Sequence, residues 1–370
     1  NIAAHNDEKR MELVRSITAE IDKGNKTYLN LWKQLVSISS ISIKEVYDEL
    51  NCHFDLFEGE LDAFKDIPAM LTKVNPYLYE SNGAMVMDVK EESDTKEMPP
   101  LLVIKKDGAT IYATRDLATI YSREERFNPD EIWYVVDNRQ KLHFEQVFKV
   151  MELVDPNFKD KLQHVYYGMF SLPTGKIASR KGKQAVLVDL MDYALQKTTD
   201  IISTRPYSED KKKEIAKKIA YSALKFTPLK NERIKDTVFD VENAFSFDGD
   251  TSAYLQYTYA RICSIIRKAD ITNFENINYS KLNVESICNL VLELNNYKST
   301  VTKAMEQNEP SIISKYTLDI CKQFNKFYTT EKVVTDDLES TTAKIYVLQN
   351  LKTVLEKLFN LICIDTVEEM

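Results

Sequence analysis

The sequence is poor in glycine, in histidine and in long apolar runs. Its 370 residues include 8 glycines and 4 histidines, and no stretch approaches the roughly 20 apolar residues that span a membrane. The pattern G-x-G-x-x-G is absent, which argues against a metabolic nucleotide-binding α/β enzyme fused to a helical domain. No glycine follows Gly249, and Pro310 is the only proline after Pro228. A segment so free of helix breakers predicts a helical bundle.

Paired cysteines and an initiating methionine are also missing. The five cysteines are odd in number and have no metal-ligand spacing, so we interpret them as free thiols in a reducing cytoplasm. The chain begins at Asn1 without an apolar leader, which we interpret as a fragment or a processed chain. The net charge of −8 argues against indiscriminate coating of nucleic acid but allows a selective RNA binder.

The first half of the chain has a different pattern. Two helices are predicted at about Glu8–Asp22 and Thr27–Leu50, and later helices at 115–127 and 140–153 alternate with short apolar runs. Alternation of strands and helices favours a parallel sheet, whose ligands bind at the carboxyl ends of the strands. We place the end of this α/β part at residue 207 and the helical part at 208–370. The predicted strands are 101–106, 132–136 and 164–170.

The segment DGATIYATRDLA (107–118) is the first candidate for a site. We expect a short strand over Thr110–Ala113 and a helix from Arg115, so that Tyr112 and Asp116 bracket a junction of strand and helix. Two interpretations remain open. Thr114 and Asp116 can simply stabilise the start of the helix, or Tyr112 and Asp116 can hold a cationic ligand, which favours a guanidinium in bidentate contact.

A second junction lies in VVDNRQKLHFEQVFKV (135–150), where Asp137, Asn138, Gln140 and His143 cluster at a turn. This cluster is compatible either with helix capping or with a role in binding or catalysis.

A third segment, 168–190, predicts a basic loop followed by an apolar strand. Its cations suit a clamp for phosphate, although a solvated basic hairpin has the same composition. These cations are Lys176, Arg180, Lys181 and Lys183.

The order of the motifs resembles one known family. YATRDLA, NRQ-x-x-H, GKIASRKGK and SFDGDTSAYLQYTYARICSI (246–265) follow one another as they do in arginyl-tRNA synthetases, which are class I aminoacyl-tRNA synthetases. The resemblance covers about residue 25 to Met370. It implies part of a Rossmann-like parallel sheet with a KMSKS-type loop near 175–183, over residues 1–207. It also implies a helical-bundle anticodon-binding domain over 208–370.

The resemblance implies an arginine–tRNA ligase that acts in translation. Arginine and ATP form arginyl-adenylate and pyrophosphate, and the arginyl group then passes to the terminal adenosine of the tRNA. The implied partners are tRNA(Arg), L-arginine and ATP with Mg²⁺. The family also implies a cytoplasmic monomer without a membrane contact or a tightly bound protein metal.

Residue roles follow from the resemblance by position. It assigns Tyr112, Asp116 and Gln140 to the arginine pocket and His143 to the neighbourhood of the adenosine. The KMSKS-type loop corresponds to Lys176, Ser179, Arg180 and Lys181, and Ser179 departs from the family by replacing the second lysine. In the helical domain, aromatic residues and the last residue are candidates for anticodon contact, with core packing as the alternative for the aromatics. These candidates are Tyr254, Tyr257, Phe327, Tyr328 and Met370.

One family motif has no counterpart. Class I synthetases carry an H-x-G-H-like pair that cradles ATP, and His5, His53, His143 and His164 form no such pair. We therefore expect the N-terminal domain and the half of the catalytic domain with this motif to be missing, and the chain alone to lack arginine activation. The alternative function is a non-catalytic tRNA-binding or regulatory protein derived from a synthetase.

Overall fold

A computed structural model describes residues 7–22, 24–90, 98–172, 187–240 and 242–370. The chain forms two compact units, Asn1–Tyr166 and Tyr167–Met370. Among the helices of these described ranges, none is long and apolar enough to cross a bilayer.

The first unit mixes helices with short strands. The two helices at its start agree with the sequence prediction to within one residue at each end. Short 3-10 helices occupy Glu60–Asp66, Asn75–Tyr77, Asn138–Gln140 and Pro156–Phe158. The main elements are α1 (Glu8–Asp22), α2 (Lys26–Glu49), α3 (Ile67–Val74), β1 (Tyr79–Ser81), β2 (Ala84–Met87), β3 (Leu101–Ile104), α4 (Tyr112–Phe127), β4 (Ile132–Tyr134), α5 (Lys141–Val154) and β5 (Leu162–His164).

The strands of the first unit pair in two ways. β4 and β5 are parallel and joined by α5, which confirms the predicted crossover. In contrast, β3 pairs antiparallel with β2, and β1 and β2 form a hairpin. Its two turn residues, Asn82 and Gly83, have φ of 53° and 82°, as a two-residue hairpin turn requires. The parallel arrangement predicted for 101–106 is therefore wrong within the described sheet.

The expected strand at Thr110–Ala113 is also wrong. Thr110 makes one isolated antiparallel bridge with Ile104, and α4 already begins at Tyr112. Helix α4 packs its apolar face into the core of the unit, where Leu117 and Ile120 are fully buried. The early helix start places Tyr112 and Asp116 one turn apart on the same helix, because residues four apart share a face.

The second unit confirms the predicted helical bundle. Its core joins six helices around fully buried side chains such as Phe324 and Phe359. Residues 187–190, expected as a strand, instead begin a helix whose buried Leu190, Met191 and Ala194 repeat at helical spacing. The elements are β6 (Phe170–Ser171), α6 (Leu187–Ile202), α7 (Glu209–Leu229), β7 (Thr237–Val238), α8 (Ser252–Ala269), α9 (Glu285–Asn295), α10 (Tyr297–Glu306), α11 (Pro310–Thr330) and α12 (Leu338–Leu361).

The two units divide the chain earlier than the predicted domain boundary at 207/208. Helix α6 packs along α7, and the buried Thr198 hydroxyl donates to the carbonyl of Ala216 across this contact at 2.9 Å. Helix α6 is therefore part of the helical unit, because it packs against α7. Ser208 caps the start of α7 by accepting from the Lys211 N–H. The boundary at 207/208 thus coincides with a helix start, and as a domain boundary it stays a prediction.

Candidate functional site

The start of α4 is tied to the sheet by one buried hydroxyl. The Thr114 Oγ1 accepts from the Ile111 N–H at 3.1 Å and donates to the carbonyl of Val103 in β3. Thr114 is fully buried. The capping interpretation placed Thr114 just before the helix, but it is the third residue of α4 and stabilises the helix start by accepting from the N–H of Ile111. Its two hydrogen bonds fix the position of the next helical turn relative to β3.

Asp116 lies on that next turn and contacts His143. The Asp116 Oδ2 is 2.6 Å from the Nε2 of His143, which α5 supplies from across the unit. Their side chains are 28% and 26% exposed, so both remain partly open to solvent. The sequence motifs 107–118 and 135–150 thus meet through these two residues, as the common site predicted for them requires.

Asp116 also opens into a cavity of about 170 Å³. Because a water molecule takes up roughly 30 Å³, the cavity accommodates a group of several heavy atoms. One face of α4 forms one wall, through Asp116, Thr119 and Arg123. Three carboxylates and two guanidinium groups line it, and Arg126 is paired with one of these carboxylates, Glu58. The other lining residues are Glu58, Gly59, Asp62, Ala63, Ser122, Arg126 and Tyr134.

Two contacts hold the remaining walls of this cavity in place. Arg126 donates to both carboxylate oxygens of Glu58, at 3.0 and 2.7 Å, and this hydrogen bonding lowers the pKa of Glu58. The guanidinium of Arg123 lies 5.2 Å from the centroid of the Tyr134 ring. Burial raises the pKa of Tyr134 to about 12. The phenol consequently stays neutral at physiological pH and adds no charge to the hollow.

Tyr112 and Gln140, the other two residues assigned to the arginine pocket, lie outside the lining of this cavity. The Tyr112 side chain is 70% exposed, and the guanidinium of Arg115 lies 5.9 Å from its ring centroid. Gln140 is exposed at the end of the 3-10 helix Asn138–Gln140 and hydrogen-bonds Asp137, whose pKa is lowered mainly by Arg139. Asp137 caps that helix, as the capping interpretation expects.

The predicted phosphate loop cannot be placed. Lys176, Ser179, Arg180 and Lys181 fall in 173–186, outside the described residues.

A second and larger cavity, of about 700 Å³, lies in the helical unit. Three of the predicted anticodon residues line it: Tyr257, Tyr328 and Met370. The guanidinium of Arg261 lies between the two tyrosine rings, 4.7 Å from the Tyr257 centroid and 5.1 Å from that of Tyr328. It also donates to the Asn325 Oδ1 at 2.9 Å. Aromatic rings beside fixed cations are what proteins use to bind unpaired bases.

The two other candidates in this unit take structural positions. Phe327 is 1% exposed and packs against Phe324 in the core, so its ring cannot stack on a base. This corrects its prediction as an anticodon residue. The Tyr254 hydroxyl accepts from the Asn325 Nδ2 at 2.8 Å, and its ring packs on the same core. Tyr254 therefore supports the cavity wall through Asn325, the residue that also holds Arg261.

Arg261 was not predicted from the sequence. It follows Tyr257 by four residues on α8, so both side chains leave the helix on the same face. The spacing of four between Tyr257 and Arg261 is the sequence signal that identifies Arg261. Further cations around the cavity, also not predicted, are Arg267, Lys268 and Lys332.

Comparison with known families agrees with this arrangement. Residues 1–241 match the family model for the catalytic domain of class I tRNA synthetases for arginine. The chain belongs to the class I arginyl-tRNA synthetase family. Residues 255–370 match the DALR anticodon binding domain, which is a helical domain of these synthetases. The predicted fold class, an α/β synthetase domain followed by a helical domain, is thereby confirmed.

Curated relatives in this family are arginine–tRNA ligases. That of Alkaliphilus metalliredigens is 35% identical over 353 residues, covering 95% of this chain and 62% of the relative. That of Clostridium acetobutylicum is 36% identical over 367 residues, covering 98% and 63%. The chain therefore spans a little over three-fifths of the length of these relatives.

Solved synthetase structures share the fold. The arginyl-tRNA synthetase of Thermus thermophilus superposes with a TM-score of 0.85 at 21% identity, over 100% of this chain and 69% of that one. The arginyl-tRNA synthetase of Plasmodium falciparum superposes with a TM-score of 0.83 at 22% identity, over 98% and 62%. At such identities the likeness concerns the fold alone.

Proposed function

We propose that the protein is an arginine–tRNA ligase that activates arginine with ATP and transfers it to tRNA(Arg). In the first step a carboxylate oxygen of arginine attacks the α-phosphorus of ATP, and pyrophosphate leaves. In the second step a ribose hydroxyl of the terminal adenosine attacks the arginyl carbonyl, and AMP leaves. The observation that carries the proposal is the half-buried Asp116, which contacts His143 and opens into a cavity lined by three carboxylates and two guanidinium groups.

Asp116 is proposed to pair with the guanidinium of the substrate. A carboxylate matches a guanidinium through two parallel hydrogen bonds, whereas lysine offers a point charge and citrulline carries none. A site built for such a pair rejects analogues strongly, because its buried polar group would be left unpaired. Tyr112, on the same helical face, and Gln140 remain candidates for orienting the substrate, provided that they approach Asp116 when arginine is bound.

The role proposed for the loop at 175–183 is electrostatic. Lys176, Arg180 and Lys181 would offset the charge that develops on the leaving pyrophosphate, and Ser179 is expected to contribute no charge. Mg²⁺ is expected to arrive with ATP, because it binds phosphate oxygens and keeps most of its water ligands. Catalysis then depends on positioning and electrostatics, with no covalent bond to the protein.

The cavity of the helical unit is the proposed site for the anticodon of tRNA(Arg). Tyr257, Tyr328 and Arg261 offer two rings and a cation within one wall, and Met370 adds an apolar surface. Such a set binds unpaired bases by stacking and attracts the phosphates around them. A monomer working in the cytoplasm is the state expected for this function.

The substitution Asp116→Asn tests the arginine site in the natural full-length protein. It keeps the shape of the side chain but removes its charge, so the KM for arginine should rise about 30-fold or more while that for ATP changes little. Arginine-dependent exchange between ATP and pyrophosphate gives both constants. The matched control is Asp130→Asn, an exposed carboxylate of the same unit beyond α4.

Three results of this experiment are informative. Equal increases in both KM values would reduce Asp116 to a helix-stabilising residue. A protein that binds tRNA(Arg) but never supports exchange would favour the non-catalytic tRNA-binding alternative. A rise confined to arginine, with Asp130→Asn unchanged, supports the ligase.

A further inference from the structure

Gln256 is the one polar residue of the YLQY motif that is fully buried. It lies on α8 next to Tyr257, yet its side chain points away from the large cavity, which it does not line. Its amide Nε2 lies 2.8 Å from the carbonyl oxygen of Asp365, 3.1 Å from the Ser222 Oγ and 3.3 Å from the carbonyl oxygen of Lys218. Two of the three partners are carbonyls, so Nε2 is the donor.

Ser222 completes a connection between α7, α8 and the segment Asp365–Met370. The Ser222 Oγ, fully buried on α7, accepts from the Asp365 N–H at 3.0 Å. Both backbone groups of Asp365 are therefore held, the carbonyl by Gln256 and the N–H by Ser222. We name this set of three residues the latch. Its loss would leave buried polar groups without partners, which is costly in a protein interior.

Beyond the latch, the segment Asp365–Met370 runs into the cavity wall. Val367 is 3% exposed in an apolar cluster with Ile215 and Ile219, and Met370 packs against the same cluster. Glu369 pairs with Arg267 at 2.8 Å. Glu369, Met370 and Arg267 all line the cavity. The first residue of this segment that lines the cavity is Glu368, three residues after Asp365, so we expect a shift at the latch to displace the wall.

We propose that Gln256 is a positioning residue for RNA recognition: through the latch it sets Met370 in the wall of the cavity without contacting RNA itself. This inference rests on the proposed function, since it takes the cavity as the anticodon site. It assigns a role to the only buried amide of the motif. A leucine at this position would fill a similar volume without a buried polar group, but it could not donate to the Asp365 carbonyl.

The test measures binding of a tRNA(Arg) transcript, and of the same transcript with its anticodon bases replaced. Gln256→Met preserves side-chain length and removes the donor, and Ser222→Ala removes the second contact with little risk to α7. Each should weaken binding of the cognate transcript about five- to tenfold, by leaving a buried group unpaired and the wall displaced. Binding of the transcript with the replaced anticodon should change less than twofold.

A double-mutant cycle with Met370→Ala separates positioning from general destabilisation. Residues that act through the same element are not additive, so Gln256→Met should have almost no further effect once Met370 is truncated. The matched control is Ser314→Ala, another fully buried hydroxyl, which donates to the carbonyl of Leu229 at 2.9 Å. It should lower the melting temperature by a similar amount and leave RNA affinity unchanged.

The outcomes are distinguishable. If the unmodified protein shows no preference for the cognate anticodon, the proposed function fails. If it shows the preference and Gln256→Met and Ser222→Ala leave it intact, the latch has no positioning role. Full additivity of Gln256→Met with Met370→Ala would likewise overturn the inference. If Gln256→Met does not fold, Ser222→Ala carries the same cycle.

Discussion

At the scale of single residues, His143 makes a contact that the family resemblance did not indicate. Its Nε2 lies 2.6 Å from the Asp116 Oδ2, and its ring packs edge-on against Phe144 with centroids 5.1 Å apart. Its placement near the adenosine stays a prediction. A residue held in this way restricts the rotamers of its carboxylate partner. Its effect should therefore fall on recognition of the amino acid.

The substitution His143→Asn tests this assignment in the natural full-length protein. Loss of a hydrogen bond to a charged group weakens the orientation of Asp116, so the KM for arginine should rise about tenfold. The KM for ATP should stay within about twofold of its original value, because the lost hydrogen bond orients Asp116 and not the nucleotide. The measurement is exchange between ATP and pyrophosphate, with His53→Asn as the control at an exposed histidine. A larger increase in the KM for ATP than in that for arginine would instead support a position of His143 at the adenosine site.

Single residues differed in how far the sequence could predict them. Asp116 could be identified because it lies within one short motif at the start of a helix. Its contact with His143 joins residues 27 positions apart, which no local pattern reveals. Phe327 and the neighbouring Tyr328 were equivalent in sequence, but one faces the core and the other the cavity. The rotation of α11 decides between them, and tertiary packing sets that rotation.

At the scale of elements, the segment just before the 3-10 helix Glu60–Asp66 is joined to α4 by a partly exposed ion pair between Glu58 and Arg126. The pKa of Glu58 is lowered, first by its hydrogen bond with Arg126. A carboxyl whose pKa is lowered by folding stabilises the structure above its unfolded pKa, and this stabilisation is lost as the pH falls through the folded value. The ordinary pKa of the group is 4.5. The contact should therefore weaken below that pH.

Hydrogen exchange of the backbone amides at 62–66 checks this expectation. Protection should fall as the pH is lowered below about 4.5, after correction for the intrinsic exchange rate, because protonated Glu58 no longer attracts Arg126. Arg126→Gln should reduce protection at neutral pH and flatten its dependence on pH. The control is Lys73→Gln, which removes a looser pair of 3.9 Å with Glu125 on the same helix. Identical pH profiles for all variants would contradict the role of the pair.

Elements were predicted well where local signals were strong. Helix α2 follows Asn25, whose side chain accepts from the Thr27 N–H, and its start was predicted to within one residue. The apolar run at 187–190 was misread as a strand, because a short run of such residues has no period that separates strand from helix. These residues form the start of helix α6 because this helix packs against α7. The strand expected at 110–113 does not form because α4 already begins at Tyr112.

At the scale of the whole molecule, the helical unit includes more of the chain than the predicted domain. Helix α6 buries Leu190, Met191, Ala194 and Ile202, and Ile202 joins the apolar cluster of Ile215 and Val367. That cluster also supports Met370. A domain that begins at residue 208 would therefore expose one side of α7.

Two fragments test where the folding unit begins. The fragment 187–370 should melt cooperatively and at a higher temperature than 208–370, since each large apolar side chain of α6 contributes about 1.5–3 kcal/mol by burial. Circular dichroism during heating gives the comparison, and binding of a hydrophobic dye reports the exposed face of α7. A variant of the longer fragment with Ile202→Asp should approach the behaviour of the shorter one. Equal melting temperatures would favour the boundary at 207/208.

The general architecture was accessible from the sequence, and the arrangement of the sheet was not. Scarcity of glycine and proline after Gly249 sufficed to predict the bundle, because helices tolerate few breakers. The alternation of strands and helices in the first unit was also present, and it correctly predicted the pairing of β4 with β5. The antiparallel pairing of β3 with β2 was not predicted, because β2 belongs to a hairpin with β1 that turns at Asn82 and Gly83.

The double hydrogen bond of Thr114 has a consequence for redesign of the proposed arginine site. Its hydroxyl joins the loop before α4 to β3. The sheet therefore sets the position of the helical turn that carries Asp116. Mutations that alter the packing of β3 will move this turn even though they lie far from any ligand. Efforts to redesign specificity should accordingly keep a hydroxyl at this position. They should also treat Val103 as a residue that positions the proposed pocket.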